Sequence, residues 1–258
     1  MSEELVGLTV EGRIGTVTLD APSSRNALSV RLLSDLNRQL ERALGDDRVR
    51  AIVLTGSGPV FCSGADLKEQ LEASTAQKEA ASPLMVAALK TLWGSPKPVI
   101  ARVNGHARGG GIGLIAACDL SVAALGATFA FSEVRVGVAP AIISVVVLPR
   151  IGIGAGLELF LTGEPFDAAR AERIGLVNRA VDPDALDATV RELADRVCKG
   201  GPNALAAAKR LVRQVPTLSL DEAFAMTARL SAWLFDSDEA REGQAAFTAK
   251  RPPAWQRD

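Results

Sequence analysis

Apolar and polar positions alternate over residues 5–10 and 14–19, and Glu11-Gly12-Arg13 separates the two runs, which predicts a β-hairpin. Asp20-Ala21-Pro22-Ser23-Ser24 breaks the second strand. From Ser29, a suitable N-cap, the period becomes helical: Leu32, Leu33, Leu36, Leu40, Ala43 and Leu44 form one stripe that ends at Gly45. Residues 51–54 read as a buried strand and residues 55–59 as a turn, followed by Val60-Phe61-Cys62-Ser63-Gly64-Ala65-Asp66-Leu67. Residues 68–81 are polar and alanine-rich with few large apolar side chains, so loose packing and a substrate-facing flap are expected there. Ser82-Pro83 supplies an N-cap and a first-turn proline for a helix through Trp93, which Gly94 and Pro96 stop. Residues 99–103 form a β-branched strand, residues 112–118 are helix-compatible, and residues 120–123 and 128–131 read as further strands.

This alternation of strand and helix predicts a mostly parallel α/β core. Beyond Asp167 the pattern turns helical. Asp167 and Gly175 bracket a short helix, Asp182-Pro183 opens one to about Lys199, Pro202 opens another, and Ser219 with Glu222 forms a capping box for a fourth. The apolar faces of these helices exceed what a solvated appendage would carry, so they are expected to pack on the core or on a neighbouring subunit.

Between the strand at 99–103 and the helix that follows lie Gly109, Gly110 and Gly111. Glycine there opens backbone conformations closed to other residues and lets a ligand approach without meeting a Cβ. If the helix begins at these glycines, its first N–H groups lack intrahelical acceptors and carry the positive end of the helix dipole. Such a turn suits a phosphate or an oxygen that becomes negative during a reaction.

Composition narrows the classes. The chain has 258 residues, 48% of them hydrophobic, and a net charge of −1, as expected for one large domain without the basic surface that nucleic acid demands. No apolar run approaches the roughly 20 residues of a membrane-spanning helix, and the N-terminal Met-Ser-Glu-Glu is acidic where a secretory signal is basic, so a cytoplasmic protein is expected. Cys62, Cys118 and Cys198 are too widely spaced for a disulfide framework or a zinc site and read as small buried side chains. No metal ligand cluster has the needed spacing.

The two glycine-flanked turns, Cys62 to Leu67 and Gly105 to Asp119, with Ala127-Thr128-Phe129-Ala130-Phe131-Ser132-Glu133, resemble the crotonase family of enoyl-CoA hydratases and isomerases. Arg25-Asn26-Ala27-Leu28, Lys97-Pro98-Val99-Ile100-Ala101, Leu161-Thr162-Gly163, Ala171 to Val177 and Glu242-Gly243 to Pro252 extend the likeness over nearly the whole chain. The resemblance implies a spiral of ββα units with two roughly perpendicular sheets over residues 1–200, carrying an acyl-CoA site. It assigns residues 201–258 to a C-terminal helical region that supports a homotrimer or a dimer of trimers. Coenzyme A would enter as part of the substrate, with no further cofactor. By motif, the N–H groups of Ala65 and Gly110 would hold the thioester oxygen. Arg25 and Ala27 would lie near the nucleotide and pantetheine, Ser63, Asp66 and Gly109 around the adenine pocket and the oxyanion turn, and Lys250, on the C-terminal helix, against the nucleotide of an adjacent subunit. Asp66 could equally cap the helix after its turn.

Hydratases of this type use two glutamates. The second is present as Glu133, whereas the position of the first is occupied by Gly113. One carboxylate fully supplies an isomerase shuttle; hydration asks in addition for a group that positions water, with Glu69, Glu72, Ser144 or a backbone carbonyl as candidates. The glycine turn, Ser132 to Val138 and Ala139 to Ser144 look like a bacterial branch of methylglutaconyl-CoA-type hydratases in which glycine also replaces the first glutamate. The departure at Val145-Val146-Val147 loosens that likeness. Hydration of an α,β-unsaturated acyl-CoA is the expected activity, with β,γ to α,β isomerisation or non-catalytic acyl-CoA binding as alternatives. The match of residues 111–116 to a dinucleotide-binding fingerprint is discounted, because residues 104–110 separate it from the preceding strand. A serine hydrolase would rest on His106 alone and has no GxSxG elbow.

Overall fold

A computed structural model describes residues 4–72 and 75–256. The strands and helices follow in the order β1 (Val6–Glu11), β2 (Ile14–Leu19), α1 (Val30–Gly45), β3 (Ala51–Gly56), β4 (Val60–Cys62), α2 (Leu67–Glu72), α3 (Thr75–Gly94), β5 (Val99–Val103), β6 (His106–Arg108) and α4 (Gly110–Ala117). They continue with β7 (Leu120–Ala124), β8 (Thr128–Ala130), a 3-10 turn over Ser132–Val136, α5 (Ala141–Thr162), β9 (Phe166–Asp167), α6 (Ala168–Arg173), β10 (Arg179–Val181), α7 (Leu186–Cys198), α8 (Pro202–Gln214), α9 (Leu220–Phe235) and α10 (Asp238–Thr248).

Six strands form one sheet in the order β1-β2-β3-β5-β7-β10, and four form a second in the order β4-β6-β8-β9. The hairpin is antiparallel, and β2, β3, β5, β7 and β10 run parallel. Each of the pairs β3-β4, β5-β6 and β7-β8 gives its first strand to the large sheet and its second to the small one before a helix returns the chain. That is the ββα spiral. A strand buried on both faces carries apolar residues without alternation, and all six residues of β3 are buried. Helix α4 is apolar all round and accordingly buried from Gly111 to Ala117.

Several helix ends follow the sequence closely. Ser29 caps α1 through Leu32 N–H, Asp167 caps α6 through Arg170 N–H, and Ser219 and Glu222 complete a reciprocal capping box on α9. Other ends do not. Helix α3 begins at Thr75, so Pro83 lies inside it and Ser82-Pro83 is not a helix start; Thr75 to Ala81 lacks large apolar residues, but its alanines favour helix. Residues 73 and 74, within the expected flap, lie outside the described residues; 67–72 and 75–81 are helical. The short strand β6 sits where a plain connection was expected after β5.

Helix α5 is the largest departure. Its apolar residues surround the axis, so no stripe marks it in the sequence. By length and composition alone it is long enough to cross a membrane, which corrects the expectation that no run approaches that size. Here it kinks at Gly152 (φ 71°, ψ 174°), and Ile143, Val146, Val147, Ile151 and Leu159 enter the core. Arg150 donates to the carbonyls of Ala116 (2.8 Å), Cys118 and Asp119, which satisfies the C-terminal end of α4. Asp119 in turn binds Lys209 (2.6 Å) and Arg213 (2.8 Å), tying α8 to the same place. The three cysteines are free and buried.

Asn26 fixes the loop before α1. It is fully buried with φ 54°; its Oδ1 accepts from Ala21 N–H (2.9 Å), and its Nδ2 donates to the carbonyls of Ser57 (3.0 Å), Val60 (2.8 Å) and Phe61 (3.2 Å). Asn26→Ala strands these groups and is expected to lower stability by about 3 kcal/mol. Urea denaturation checks this, and an unchanged midpoint would show that the loop is held by other contacts.

Candidate active site

The two sequence turns meet because their strands are neighbours. β4 and β6 run parallel with Cys62 opposite Ala107, and three residues beyond each partner stand Ala65 and Gly110. The chains pass closely here. A Cβ on Gly64 would lie 2.9 Å from the Arg108 carbonyl oxygen, and one on Gly111 would lie 2.8 Å from that of Cys62. Leu28 N–H donates to Gly64 O (2.8 Å) and Ser63 N–H to Arg25 O (3.0 Å), so the Arg25–Leu28 loop is zipped to the first turn.

Gly110 opens α4, and Gly109 precedes it as N-cap with φ 44° and ψ −115°, a conformation reserved for glycine. As the first residue of the helix, Gly110 has no intrahelical acceptor for its N–H, and the positive end of the α4 dipole lies at the same point.

Ala65 and Gly110 line a cavity of about 410 Å³ together with Ser63, Gly109 and Glu133. Glu133 stands in the 3-10 turn after β8, and its carboxylate packs against the bare Cα of Gly109: a Cβ there would lie 2.8 Å from Oε1. Its Oε2 is shielded from solvent and has no hydrogen-bond partner among the described residues. Burial pushes the Glu133 carboxyl above the usual glutamate range, and its own backbone N–H opposes this more weakly. Arg135, the neighbour expected to neutralise a surface glutamate, turns away to Glu164 and the Thr162 carbonyl.

The rest of the lining is mainly apolar. Leu28, Met85 and Ile143 cover the first turns of α4, and residues 138–142 extend that wall. At Gly113 a Cβ would lie 2.3 Å from Ile143 Cγ2, 2.9 Å from Ile143 Cβ and 3.5 Å from Met85 Cε.

Not every residue singled out in the sequence reaches this cavity. Arg25 and Ala27 stand in the adjoining loop, Arg25 exposed with φ 57° and Ala27 buried. Asp66 caps α2, its Oδ1 accepting from the N–H groups of Lys68 (3.1 Å) and Glu69 (3.0 Å). Lys250 follows the end of α10 in a turn with φ 51° rather than lying on the helix. Of the candidate water-holders, Glu69 is bound to Val30 N–H (3.0 Å) and Ser144 donates to Ala141 O (2.7 Å), and neither lines the cavity. The Glu72 side chain lies outside the described residues. Sequence reading missed Ser82, Met85, Ser132 and Ile143 as lining residues. They come from α3, the 3-10 turn and α5, and no local pattern marks them.

A family model described as enoyl-CoA hydratase/isomerase matches residues 9–258. The chain belongs to the enoyl-CoA hydratase/isomerase family. Within that family it is 32% identical over 246 residues to the short-chain-enoyl-CoA hydratase of Clostridium acetobutylicum, covering 95% of this chain and 94% of that protein. It is 33% identical over 261 residues to the carnitinyl-CoA dehydratase of Proteus mirabilis, covering 99% of each. The crystal structure of an enoyl-CoA hydratase from Mycobacterium smegmatis superposes with a TM-score of 0.91 at 35% identity, covering 99% of this chain and 100% of that one. The expected ββα spiral is therefore the fold of this family.

Proposed function

We propose that this protein adds water across the double bond of an α,β-unsaturated acyl-CoA, with Glu133 as the single acid and base. The observation that carries the reading is a carboxylate with one shielded oxygen that has no partner among the described residues, in a mainly apolar cavity beside the N-terminus of α4 and the neighbouring turn at Ala65. Glu133 takes a proton from water as the water oxygen bonds to the β-carbon. The electron pair of the double bond moves onto the thioester oxygen, held by the N–H groups of Ala65 and Gly110. The enolate then collapses as Glu133 returns the proton to the α-carbon, and the product is a 3-hydroxyacyl-CoA. One oxyanion donor is worth on the order of 3 kcal/mol in such a step. No cofactor or metal takes part.

In this reading the Arg25–Leu28 loop and Ser63 receive the coenzyme A portion. The chain assembles as a homotrimer, alone or paired, in which Lys250 reaches a neighbour's nucleotide. Exposed Leu220, Phe224, Trp233 and Phe235 on α9 support self-association, since they find no cover within one chain. Sedimentation of the purified protein tests it, and a monomer at working concentration would remove Lys250 from the site.

Purified protein incubated with crotonyl-CoA is expected to consume the conjugated double bond and release 3-hydroxybutyryl-CoA. Absence of hydration with intact acyl-CoA binding would overturn the reading. One observation favours isomerisation as the second reading: an apolar side chain, Ile143, stands where a second carboxylate would have projected from Gly113. Glu133 alone could move a proton from the α- to the γ-carbon of a β,γ-enoyl-CoA, and turnover of that substrate without hydration would select this reading.

The protonation state of Glu133 sets a pH dependence. Water activation needs the carboxylate, and burial raises its pKa. The acidic limb of kcat/KM is expected to rise with pH around a midpoint above the ordinary glutamate value of about 4.3. A midpoint at or below that value would exclude Glu133 as the titrating base.

A further inference from the structure

The region around Gly113 points to an element of acyl specificity that goes beyond the reaction itself. α4 presents bare Cα atoms at Gly110 and Gly113, one turn apart on the same face. Leu28 Cδ1 would lie 2.6 Å from a Cβ at Gly110, Ile143 Cγ2 would lie 2.3 Å from one at Gly113, and Met85 Cε would lie 3.5 Å from both. If the acyl chain runs from a thioester oxygen at Gly110 N–H along this face of α4, its carbons beyond the α-carbon come level with Gly113, one turn of about 5.4 Å on. Glu133 flanks the turn at Gly109.

We propose that Ile143, seated in the volume a side chain at Gly113 would take, acts with Met85 as the wall against which the β-carbon rests, so that the site selects apolar acyl groups unbranched at that carbon. This rests on the acyl-CoA reading above. A methyl group on the β-carbon needs the space that Ile143 Cγ2 fills. Ile143 is 4% exposed and packed in the core, so it cannot swing out to make room. A second carboxylate on the acyl group also finds little welcome. The cations in the lining, Arg135 and Arg108, are engaged with Glu164 and with the carbonyl and hydroxyl of Thr128. The glutaconyl class of substrate is thereby disfavoured.

The test compares the wild-type enzyme with Ile143→Ala on crotonyl-CoA and 3-methylcrotonyl-CoA, and measures the affinities of the inert butyryl-CoA and 3-methylbutyryl-CoA. The ratio of kcat/KM for the branched over the straight substrate is expected to rise about tenfold or more in Ile143→Ala, and the affinity ratio of the saturated pair to move the same way. Gly113→Ala should weaken binding of both thioesters in the wild-type background and do so far less in the Gly113→Ala/Ile143→Ala double variant, which reports whether the two positions share one volume. Should Ile143→Ala prove too unstable to assay, Ile143→Leu, which keeps the volume but removes the β-branch methyl Cγ2, gives the same readout with a smaller shift. Unchanged ratios in a folded variant overturn the proposal. If the wild-type enzyme hydrates neither substrate, the hydratase reading falls, while the two saturated thioesters still decide whether Ile143 sets the selectivity.

Discussion

Glu133→Gln is expected to lower kcat for crotonyl-CoA hydration about 1,000-fold while leaving KM within a few-fold of its wild-type value. The amide keeps the size of the carboxylate and its contact with Gly109, so substrate binding survives, but it can neither take a proton from water nor return one to the α-carbon. Stability should move in the opposite direction. The folded protein raises the pKa of Glu133, so between the unfolded and folded values the native state holds more protons than the unfolded chain, and stability falls as pH rises through that window. At about pH 7 the wild-type protein therefore carries the cost of an ionised, partnerless oxygen that Gln lacks. Thermal unfolding should show Glu133→Gln more stable than wild type near neutrality, with the difference shrinking toward about pH 4, near the ordinary glutamate value. Wild-type kcat in the variant would remove Glu133 from the chemistry; a loss of stability at neutral pH would show that the ionised carboxylate is stabilised in the folded protein.

Gly109→Ala is the second large effect. The backbone at Gly109 has φ 44° and ψ −115°, and the added methyl would stand 2.8 Å from Glu133 Oε1. The residue must then rotate toward an allowed conformation, which re-aims the first N–H groups of α4, or push the carboxylate aside. Loss of one well-aimed oxyanion donor costs about 100-fold or more in kcat, and misplacement of the base adds to it. Stability should fall by about 1–3 kcal/mol from backbone strain. Kinetics at saturating crotonyl-CoA read the first effect and urea denaturation the second. A variant with near-normal kcat would mean that neither the N–H at Gly110 nor the base depends on the geometry of this cap.

The parts of this protein legible in its sequence are those set by local chemistry. Ser29, Asp167 and the Ser219–Glu222 pair announce helix starts because a short polar side chain satisfies N–H groups within three residues of itself. The hairpin and the strands β3, β5, β7 and β8 announce themselves through alternation and apolar runs. Glu133 was singled out through the family resemblance, since local pattern alone reads it as a surface residue paired with Arg135, which in the structure turns to Glu164 instead. Local pattern misled at Ser82-Pro83, which has the chemistry of a helix start, yet alanine-rich residues upstream carry the helix through it. It also missed α5, because a helix covered by the core on one side and left apolar on the other has no periodic stripe to read.

By itself, the sequence determined the hairpin, the apolar strands of the large sheet up to β7 and the capped helices, the glycines that free the turn before α4, and the absence of a glutamate at Gly113. What fills that absence was decided only by tertiary structure. Ile143 lies 30 residues away on a helix that the pattern did not reveal, and it meets Gly113 because Arg150 binds the far end of α4 and α5 packs along it. The same holds for the pairing of Ala65 with Gly110, which follows from the register of β4 on β6. Contacts of this kind depend on how elements pack across space, and a period of two or 3.6 residues along the chain carries no record of them.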